Sequence, residues 1–425
     1  MEVEKLLSDL ICIESVNPPG NETGVASYLK GLFDSFGIKN EIIESGPGRG
    51  SFIAEIGEGD RRLLYLSHTD VVPVSEGWDF PPFSGKIDKG FVCGRGALDC
   101  KGLVAAEAQA LINLAGNGNL GGKLIFAATA DEEVGGTMGV KYLIDNFKDK
   151  ISADFVINEG GEEPVCVGDG VSHFIQVGEK GICWLKLRTE GVSAHGSLPL
   201  LGDNAVTKMA AILKTLGEYR PETVLIPEVK VMLREITRLA GLKDRVTKSS
   251  IDRIIDGVGN KAFGAYLSAI TRMTVSPNMV CGGSKTNIIP DNCEADIDIR
   301  VLPGQDEEYV KRELVRMAGN VEIEILRYRA PTFSTSQSDF YRLTSSTLKQ
   351  FVGNVPVLPS ISSGGTDSGF LRDAGIPCYG ISMMTLDTDT SLAQSVHGKN
   401  ERLDVASLRV KTNFLVDLAR KYLVG

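Results

Sequence analysis

Three short and nearly continuous apolar segments constrain the fold of this chain more than any other feature. RLLYLS, KLIFAATA and ADFVIN are each bounded by polar or glycine-containing residues, and helix-like stretches such as KGLVAAEAQALINLAG separate them. Strands that are apolar on both faces and that alternate with helices are typical of a buried, largely parallel sheet. This part of the sequence therefore predicts an α/β domain with a central, mostly parallel sheet.

A different pattern begins at about Gly181. WLKLRTEG, EADIDIRVL and NVEIEIL alternate apolar and polar residues, and DNAVTKMAAILKTLG has the spacing of an amphipathic helix. One-faced strands covered by helices are typical of an α+β layer. The α/β pattern returns after about Ala330, with the final helix predicted in LDVASLRVKTNFLVDLARKYL. We therefore predict that residues 180–330 form a domain inserted into a first domain made of residues 1–179 and 331–425.

Charge, hydropathy and cysteine usage argue against several classes of protein. The formal net charge of −10 leaves no basic surplus to neutralise the phosphates of a nucleic acid. No stretch approaches the roughly 18 apolar residues that a membrane span needs, and the N-terminus lacks the basic region of a signal peptide. The eight cysteines are scattered without a C-x-x-C pair, which favours reduced thiols over disulfides or a thiolate zinc site. We expect a cytoplasmic protein without nucleic-acid or membrane partners.

Acidic and imidazole side chains follow the apolar segments directly. Each segment and one glycine-rich loop, GRGALDCKG, carry such residues: His68 and Asp70, Asp131 with Glu132 and Glu133, Glu159, and Asp99 in the loop. Ligands of open α/β sheets gather at the carboxyl ends of the strands, so we expect these groups to converge. Carboxylates a few ångströms apart repel one another by several kcal/mol, and bound divalent cations remove that cost. Histidine and carboxylate ligands without thiolates suit zinc, cobalt or manganese in a catalytic site.

Each of these pieces has a simpler interpretation when it is taken alone. An H-x-D sequence is often a surface turn, a Glu-Glu pair after a strand usually lies in a solvated loop, and GRGALDCKG could be a turn. However, three of the four histidines lie in polar contexts, HTD, SAHGS and SVHGK. The coincidence of all these groups with predicted strand ends favours the metal site.

Five motifs occur in an order that resembles the aminoacylase/carboxypeptidase/desuccinylase family of dizinc amidohydrolases. They are LYLSHTDVV, GRGALDCKG, TADEEVGG, NEGG and SVHGKNERL, and the resemblance covers most of the chain. It implies a zinc-peptidase-like catalytic domain, with the inserted α+β domain serving in dimerisation and as a lid. It also implies two divalent metal ions per subunit, zinc in the first place, with cobalt or manganese as alternatives.

The resemblance further implies how the metals are held. One metal would be bound by His68 and Glu159, and the other by Glu133 and His397. Asp99 would bridge the two metals. In family members the bridging aspartate commonly precedes a cis peptide bond, which here would be Asp99–Cys100.

Three more residues receive roles from the same resemblance. Asp70 would hydrogen-bond the ring of His68 and fix its tautomer. Glu132 would act as general base on a metal-bridging water and then as acid towards the departing amine. His195, in GVSAHGSLP, would reach the active site of the neighbouring subunit and stabilise the oxyanion, which implies a homodimer joined through the inserted domain. The alternative for His195 is a loop histidine that caps a helix.

Two elements are similar to binders of the substrate carboxylate. Asn287 and Arg300 match family positions on the inserted domain, although Arg300 could equally form a surface ion pair. In SSGGTDSGF, the backbone before a short helix could receive an anion, or the segment is an ordinary helix start. The residues concerned in that segment are Gly364, Gly365 and Thr366.

The leading hypothesis is hydrolysis of an amide bond beside a free carboxylate, in an N-acyl amino acid or at the C-terminal residue of a short peptide. Succinyl-diaminopimelate desuccinylase and acetylornithine deacetylase stay open, although Lys180 stands where desuccinylases of this family usually carry an arginine. A catalytically silent binding protein of the same fold is disfavoured, because every position that the chemistry requires carries a suitable residue. These seven residues are His68, Asp70, Asp99, Glu132, Glu133, Glu159 and His397. No P-loop is present, which disfavours a nucleotide-dependent enzyme. His173 matches no ligand position and is interpreted as structural.

Overall fold

The chain forms two compact units in the computed structural model. The structure describes residues 2–116, 120–161, 164–168, 170–319, 321–353, 355–382, 384–385 and 388–424. The first unit comprises Met1–Val177, Phe333–Ser360 and Thr366–Gly425, and the second comprises Gly178–Thr332 and Ile361–Gly365. Most of the second unit is thus one continuous segment that interrupts the first unit in sequence.

Helices occur along the whole of the described chain. The α-helices are α1 (Val3–Ile11), α2 (Thr23–Ser35), α3 (Lys101–Ala115), α4 (Val140–Asn146), α5 (Lys148–Ile151), α6 (Ala205–Glu218), α7 (Pro227–Leu239), α8 (Ile251–Gly257), α9 (Lys261–Ala269), α10 (Glu307–Ala318), α11 (Asp339–Val352), α12 (Ser368–Asp373) and α13 (Val405–Val424). Short 3₁₀ turns cover Glu132–Val134, Pro199–Leu201, Lys248–Ser250 and Thr390–Ser395. The helices predicted from periodicity are confirmed as α3, α6 and α13.

Strands alternate with these helices. They are β1 (Lys39–Glu44), β2 (Gly50–Ile56), β3 (Arg62–His68), β4 (Lys86–Asp88), β5 (Phe91–Cys93), β6 (Lys123–Thr129), β7 (Phe155–Asn158), β8 (Val165–Val167), β9 (Gly170–Glu179), β10 (Gly181–Glu190), β11 (Ala194–His195), β12 (Thr274–Gly282), β13 (Ile288–Ile289), β14 (Asn292–Val301), β15 (Glu322–Arg329), β16 (Thr332–Phe333), β17 (Val357–Ser362), β18 (Cys378–Gly380) and β19 (Arg402–Asp404). The three apolar segments of the sequence form β3, β6 and β7, as predicted.

The largest sheet is parallel at its centre and antiparallel towards its edges. Its strand order is β1-β2-β6-β3-β7-β18-β9-β16, with β8 and β17 also paired to β9. Neighbouring strands run parallel from β6 through β3 and β7 to β18. The outer strands β1 and β2, and the pairing of β18 with β9, are antiparallel. The predicted α/β class with a largely parallel central sheet is therefore confirmed.

Helices cover both faces of the central strands, which explains why those strands are apolar throughout. Leu64 and Leu66 of β3 belong to a buried cluster that includes Leu143 of α4 and Leu371 of α12. On the opposite face α3 and α13 pack against β3 and β6. Burial of apolar area at about 25 cal/mol per Å² is the main favourable contribution to such a core.

The second unit contains a four-stranded antiparallel sheet of order β12-β14-β10-β15. Every second residue of β14 is buried. The buried face packs against α6 and α10, whose inward residues include Met209 and Leu314. The alternating sequence pattern thus correctly predicts a one-faced sheet covered by helices.

None of the described helices combines the length and hydropathy that a membrane crossing requires. All eight cysteines are free thiols, as their scattered positions predict.

His173 gives a test of the core of the first unit. This residue of β9 is buried, and its Nε2 has no hydrogen-bond partner among the described residues. Burial lowers the pKa of the imidazole to about 4. Near pH 6.5 the imidazole of the unfolded chain binds a proton, whereas that of the folded chain does not. The free energy of unfolding therefore decreases as the pH falls from about 6.5 towards 4.

Replacing His173 by phenylalanine should remove this acid sensitivity. In the wild-type protein the lowered pKa of His173 reduces the free energy of unfolding at low pH by at most about 3 kcal/mol. We expect the urea midpoint of the variant to fall less steeply between pH 7 and pH 4 than that of the wild-type protein. Identical pH profiles of the two midpoints would contradict the assignment of the penalty to His173.

Candidate metal centre and active site

The parallel arrangement of three strands brings the predicted site residues to one edge of the sheet. His68 is the last residue of β3. Glu132 and Glu133 begin the 3₁₀ turn that follows β6, and Glu159 comes directly after β7. Because β6, β3 and β7 are parallel neighbours, their carboxyl ends lie side by side.

Asp99 lies between two histidine–glutamate pairs. Its Oδ1 is 2.9 Å from Nε2 of His68, and that nitrogen is 3.5 Å from Oε2 of Glu159. Its Oδ2 is 3.1 Å from Nε2 of His397, and that nitrogen is 3.2 Å from Oε2 of Glu133. The two oxygens of one carboxylate therefore face two separate groups, and these are the two groups named from the sequence.

The donor set of this cluster fits divalent cations. Donor atoms of His68, Asp99 and Glu133 all lie within 4.8 Å of one another. Oε1 of Glu133 is buried and has no hydrogen-bond partner among the described residues. This oxygen is therefore available to coordinate a cation. The peptide bond between Asp99 and Cys100 is cis.

The electrostatics of the cluster show an excess of negative charge. Burial and the Glu159 carboxylate raise the pKa of Glu132 well above its ordinary value. Hydrogen bonds to Asp99 and Glu133 raise the pKa of His397 to about 10. Burial alone would lower the pKa of His68, but the surrounding anionic groups hold it well above 6.5. The raised pKa values of both imidazoles show that the surrounding carboxylates favour positive charge at this place, which divalent cations would supply.

Asp70 contacts both the ring of His68 and the turn that carries the two glutamates. Its Oδ1 accepts the backbone N–H of Glu132 at 3.1 Å, and its Oδ2 accepts that of Glu133 at 3.0 Å. Nδ1 of His68 lies 3.0 Å from the backbone carbonyl of Asp70 and 3.4 Å from its Oδ1. The closer acceptor for the ring is therefore the backbone carbonyl oxygen of Asp70 and not its carboxylate.

A buried network behind Asp70 was not found from the sequence. The guanidinium of Arg49 contacts Glu22 at 2.6 Å, Asn17 at 3.0 Å and Asp131 at 3.2 Å. Asn17 in turn donates to Oδ2 of Asp70 at 2.8 Å. Arg49 thus supports the turn that carries Glu132 and Glu133 through Asp131 and Asn17. Isolated polar residues in an N-terminal segment offer no periodic signal that would have revealed these contacts.

Asp367, the residue before α12, is a further buried carboxyl group near this strand end. Its Oδ2 accepts the hydroxyl of Thr129, the last residue of β6, at 3.0 Å. Burial raises the pKa of Asp367 to about 8. The structure therefore places a buried carboxyl group with a raised pKa beside the strand end that leads to Glu132.

In the second unit the structure brings His195 and Asn287 together. The short strands β11 and β13 pair, and the N–H of Gly196 donates to the carbonyl of Asn287 at 2.8 Å. His195 is exposed, and its Nδ1 accepts the N–H of Ser197 at 3.2 Å. With Nδ1 as the acceptor, Nε2 carries the proton of the neutral ring and can donate it to a ligand.

The remaining predicted substrate residues make contacts within the protein. Nε and Nη2 of Arg300 bind the two oxygens of Asp298 at 2.7 and 3.0 Å, which is the ion pair that the sequence argument left open. The N–H of Gly364 donates to Oγ of Ser362 at 3.1 Å.

The segment before α12 also shows the features of an ordinary helix start. Thr366 Oγ1 accepts the N–H of Ser368, the first residue of α12, at 3.2 Å. Gly364 and Gly365 group with the second unit, whereas Thr366 belongs to the first.

Fold and site together define a metal-dependent hydrolase built on an open α/β sheet. The sequence model of peptidase family M20/M25/M40 matches residues 64–421. The chain therefore belongs to this family of metal-dependent amidohydrolases and peptidases.

Relatives and solved structures agree with this assignment. The chain is 28% identical to the "Probable succinyl-diaminopimelate desuccinylase" of Staphylococcus aureus (strain MRSA252), over 87% of this chain and 86% of that protein. It is 29% identical to the "Probable carboxypeptidase S-like 2" of Dictyostelium discoideum, over 86% of this chain and 73% of that protein. The M20 family metallo-carboxypeptidase Sso-CP2 from Sulfolobus solfataricus has a similar fold, with a TM-score of 0.75, 22% identity and full coverage of both chains.

Proposed function

We propose that this protein uses two zinc ions to hydrolyse the amide bond beside a free carboxylate, in N-acyl amino acids or at the C-terminal residue of short peptides. The observation that carries the proposal is the position of Asp99 between the pair His68 and Glu159 and the pair His397 and Glu133. A carboxylate that offers one oxygen to each of two groups suits a bridging ligand, and the donor types suit zinc.

Glu132 is the proposed proton carrier. Its backbone N–H is held by Asp70, whereas its carboxylate has no hydrogen-bond or ion-pair partner among the described residues. When bound, divalent ions in this site lower the pKa of water and polarise the scissile carbonyl. Glu132 removes a proton from the attacking water as its oxygen bonds to the carbonyl carbon, and returns that proton to the amine nitrogen as the C–N bond breaks.

Lys180 supports an acyl amino acid or peptide over a succinylated substrate. Its ammonium group donates to the carbonyls of Ala269 at 2.7 Å and Arg272 at 2.9 Å, and to Oγ1 of Thr274 at 3.2 Å. These bonds use all three N–H donors of a lysine. The side chain is also buried. Lys180 therefore has no donor left for the second carboxylate that distinguishes a succinyl group.

A desuccinylase is the second candidate function. The name of the Staphylococcus aureus relative favours it, since that protein is matched over most of both chains. His195 and Asn287 belong equally to either candidate, because both substrates present a carboxylate and a scissile carbonyl. The choice between them depends on the acyl group that the enzyme accepts.

We also propose that the protein is a homodimer joined through the second unit. The 3₁₀ turn beside His195 exposes two leucines, Leu200 at 98% and Leu201 at 71%. On the edge strand β12, Met279 and Val280 are 66% and 60% exposed. Exposed apolar residues grouped in this way are typical of protein–protein contact surfaces. A second copy is the partner that fits the proposed role of His195 in a neighbouring active site.

Metal removal and restoration test the proposed reaction. Protein treated with a chelator should release no amine from N-acetyl amino acids, dipeptides or N-succinyl-diaminopimelate. Zinc or cobalt should restore release, because the carboxylates and histidines of the site alone cannot activate water. Preference for N-acetyl amino acids or dipeptides supports the leading proposal, and preference for N-succinyl-diaminopimelate supports the second candidate. Amine release at an undiminished rate without bound metal would contradict both.

A further inference from the structure

Glu401 holds the loop that contains Asp99. The Glu401 side chain is fully buried. Its Oε1 accepts the backbone N–H groups of Leu98 at 2.8 Å and of Asp99 at 3.1 Å. Its Oε2 accepts the N–H of Gly96 at 3.0 Å and Nη1 of Arg95 at 2.7 Å. Four donors therefore converge on one carboxylate immediately before the proposed bridging ligand.

The same carboxylate is linked to the loop that carries His397. Nη2 of Arg95 donates to the carbonyl of Gly398, the residue after His397, at 2.7 Å. The backbone carbonyl of Glu401 accepts the N–H of Gly94 at 2.9 Å. Arg95 and Glu401 thus join the two loops by side-chain and backbone contacts in an environment with almost no solvent access.

His397 needs such support more than the other proposed ligands do. His68, Glu133 and Glu159 lie at or just after the ends of sheet strands, and the sheet fixes their backbone. His397 instead lies between the 3₁₀ turn Thr390–Ser395 and β19, and its side chain is 54% exposed. Its φ of +57° is a conformation that residues other than glycine rarely adopt, so surrounding contacts must hold it.

We propose that Glu401 is a positioning residue that sets the distance between Asp99 and His397. It thereby determines the affinity for the metal ion held by His397, Glu133 and Asp99; this inference rests on the proposed two-metal function. The role requires a carboxylate, since four donors face it. A glutamine would turn an N–H group towards at least one of those donors.

Metal titration of the Glu401→Gln variant tests the proposal without any activity measurement. Metal-free protein is titrated with Co²⁺ and followed by calorimetry and visible absorption. We expect the wild-type protein to bind two ions per subunit. In the variant one binding step should change by less than about threefold, whereas the other should lose about 10–100-fold in affinity, the range seen when groups that orient metal ligands are removed.

Two further variants separate positioning from general stability. Leu143→Ala removes a buried side chain of α4 on the other side of the sheet, and it should lower Tm while both metal steps stay intact. If Glu401→Gln does not fold because Arg95 is left unpaired, the double variant Arg95→Met/Glu401→Gln removes the orphaned charge and should show the same selective loss.

The outcomes of the titration distinguish the positioning role of Glu401 from the proposed two-metal function. Two unchanged steps in the Glu401 variants, an equal loss in both steps, or the same selective loss in Leu143→Ala overturns the positioning role. Wild-type protein that binds fewer than two ions overturns the proposed two-metal function, and the inference about Glu401 falls with it. Two ions in the wild-type protein with a selective loss in the variants supports both.

Discussion

Replacing Glu132 by glutamine should lower kcat by about 10²–10⁴-fold, the usual contribution of a general acid–base group. Glutamine has nearly the same size but cannot take the proton from water or return it to the amine. Metal content should remain at the wild-type value, because Glu132 is absent from the two groups that face Asp99. The measurements are kcat on the preferred substrate of the panel and metal per subunit by elemental analysis.

A matched substitution controls for the loss of a negative charge. Glu58 is exposed in the segment between β2 and β3, so Glu58→Gln should retain wild-type kcat and metal content. Comparable activity of Glu132→Gln and Glu58→Gln would remove Glu132 from the reaction. A loss of metal in Glu132→Gln would instead assign that residue to the metal site.

The proposed metal ligands could be found from the sequence because local pattern determines their place. The apolar segments that become β3, β6 and β7 form parallel neighbours, so the residues that follow them meet at one edge. His68, Glu133 and Glu159 are therefore placed by strand periodicity and by the rule for open sheets alone. Asp99 lies on a glycine-rich loop and was expected at the same edge of the sheet, although only the resemblance to a known family implied its bridging role. His397 also lies on a loop, and only that resemblance linked it to the site.

The supporting residues could not be found in the same way. Arg49 meets Asp131, and Glu401 meets Arg95, across separations in sequence that no periodicity spans. Their partners are backbone N–H groups and single buried charges, which leave no compositional trace. The outer strands β1 and β2 were also missed, because KNEIIE and GSFIAEI are short and give weak alternation in a mixed segment.

Arg300 shows a different limit of sequence reasoning. Its position suggested a carboxylate binder, and the structure gives it a carboxylate, that of Asp298, two residues earlier on β14. Residues two apart on a strand share a face, so this pairing competes with a substrate for the same guanidinium. A sequence names the type of chemistry that a side chain favours, but the partner depends on the neighbours in space.

The His195→Gln variant should lose about 10²–10³-fold in kcat, the usual effect of removing one oxyanion donor. The structure supports a donor role, because Nδ1 is occupied by the N–H of Ser197 and Nε2 is left as the donor. The central question is which subunit this donor serves. Mixed dimers of two inactive variants answer it.

In a mixed dimer, one subunit carries Glu132→Gln and the other carries His195→Gln. If His195 serves the neighbouring active site, the subunit with intact Glu132 receives an intact His195 from its partner, and one of the two sites is complete. Because one of its two sites is complete, the purified mixed dimer should reach about half of wild-type activity. The two variants are co-expressed with different affinity tags, and the doubly tagged dimer is purified and assayed.

Co-expression of two differently tagged Glu132→Gln chains is the control, and it should stay as inactive as either parent. If His195 served its own subunit, every site of the mixed dimer would lack either Glu132 or His195, and no activity would return. Recovery therefore requires both a dimer and an exchange of His195 between subunits, two properties that a single kcat cannot separate. A mixed dimer that forms in full yield and remains inactive would confine His195 to its own chain or remove it from the reaction.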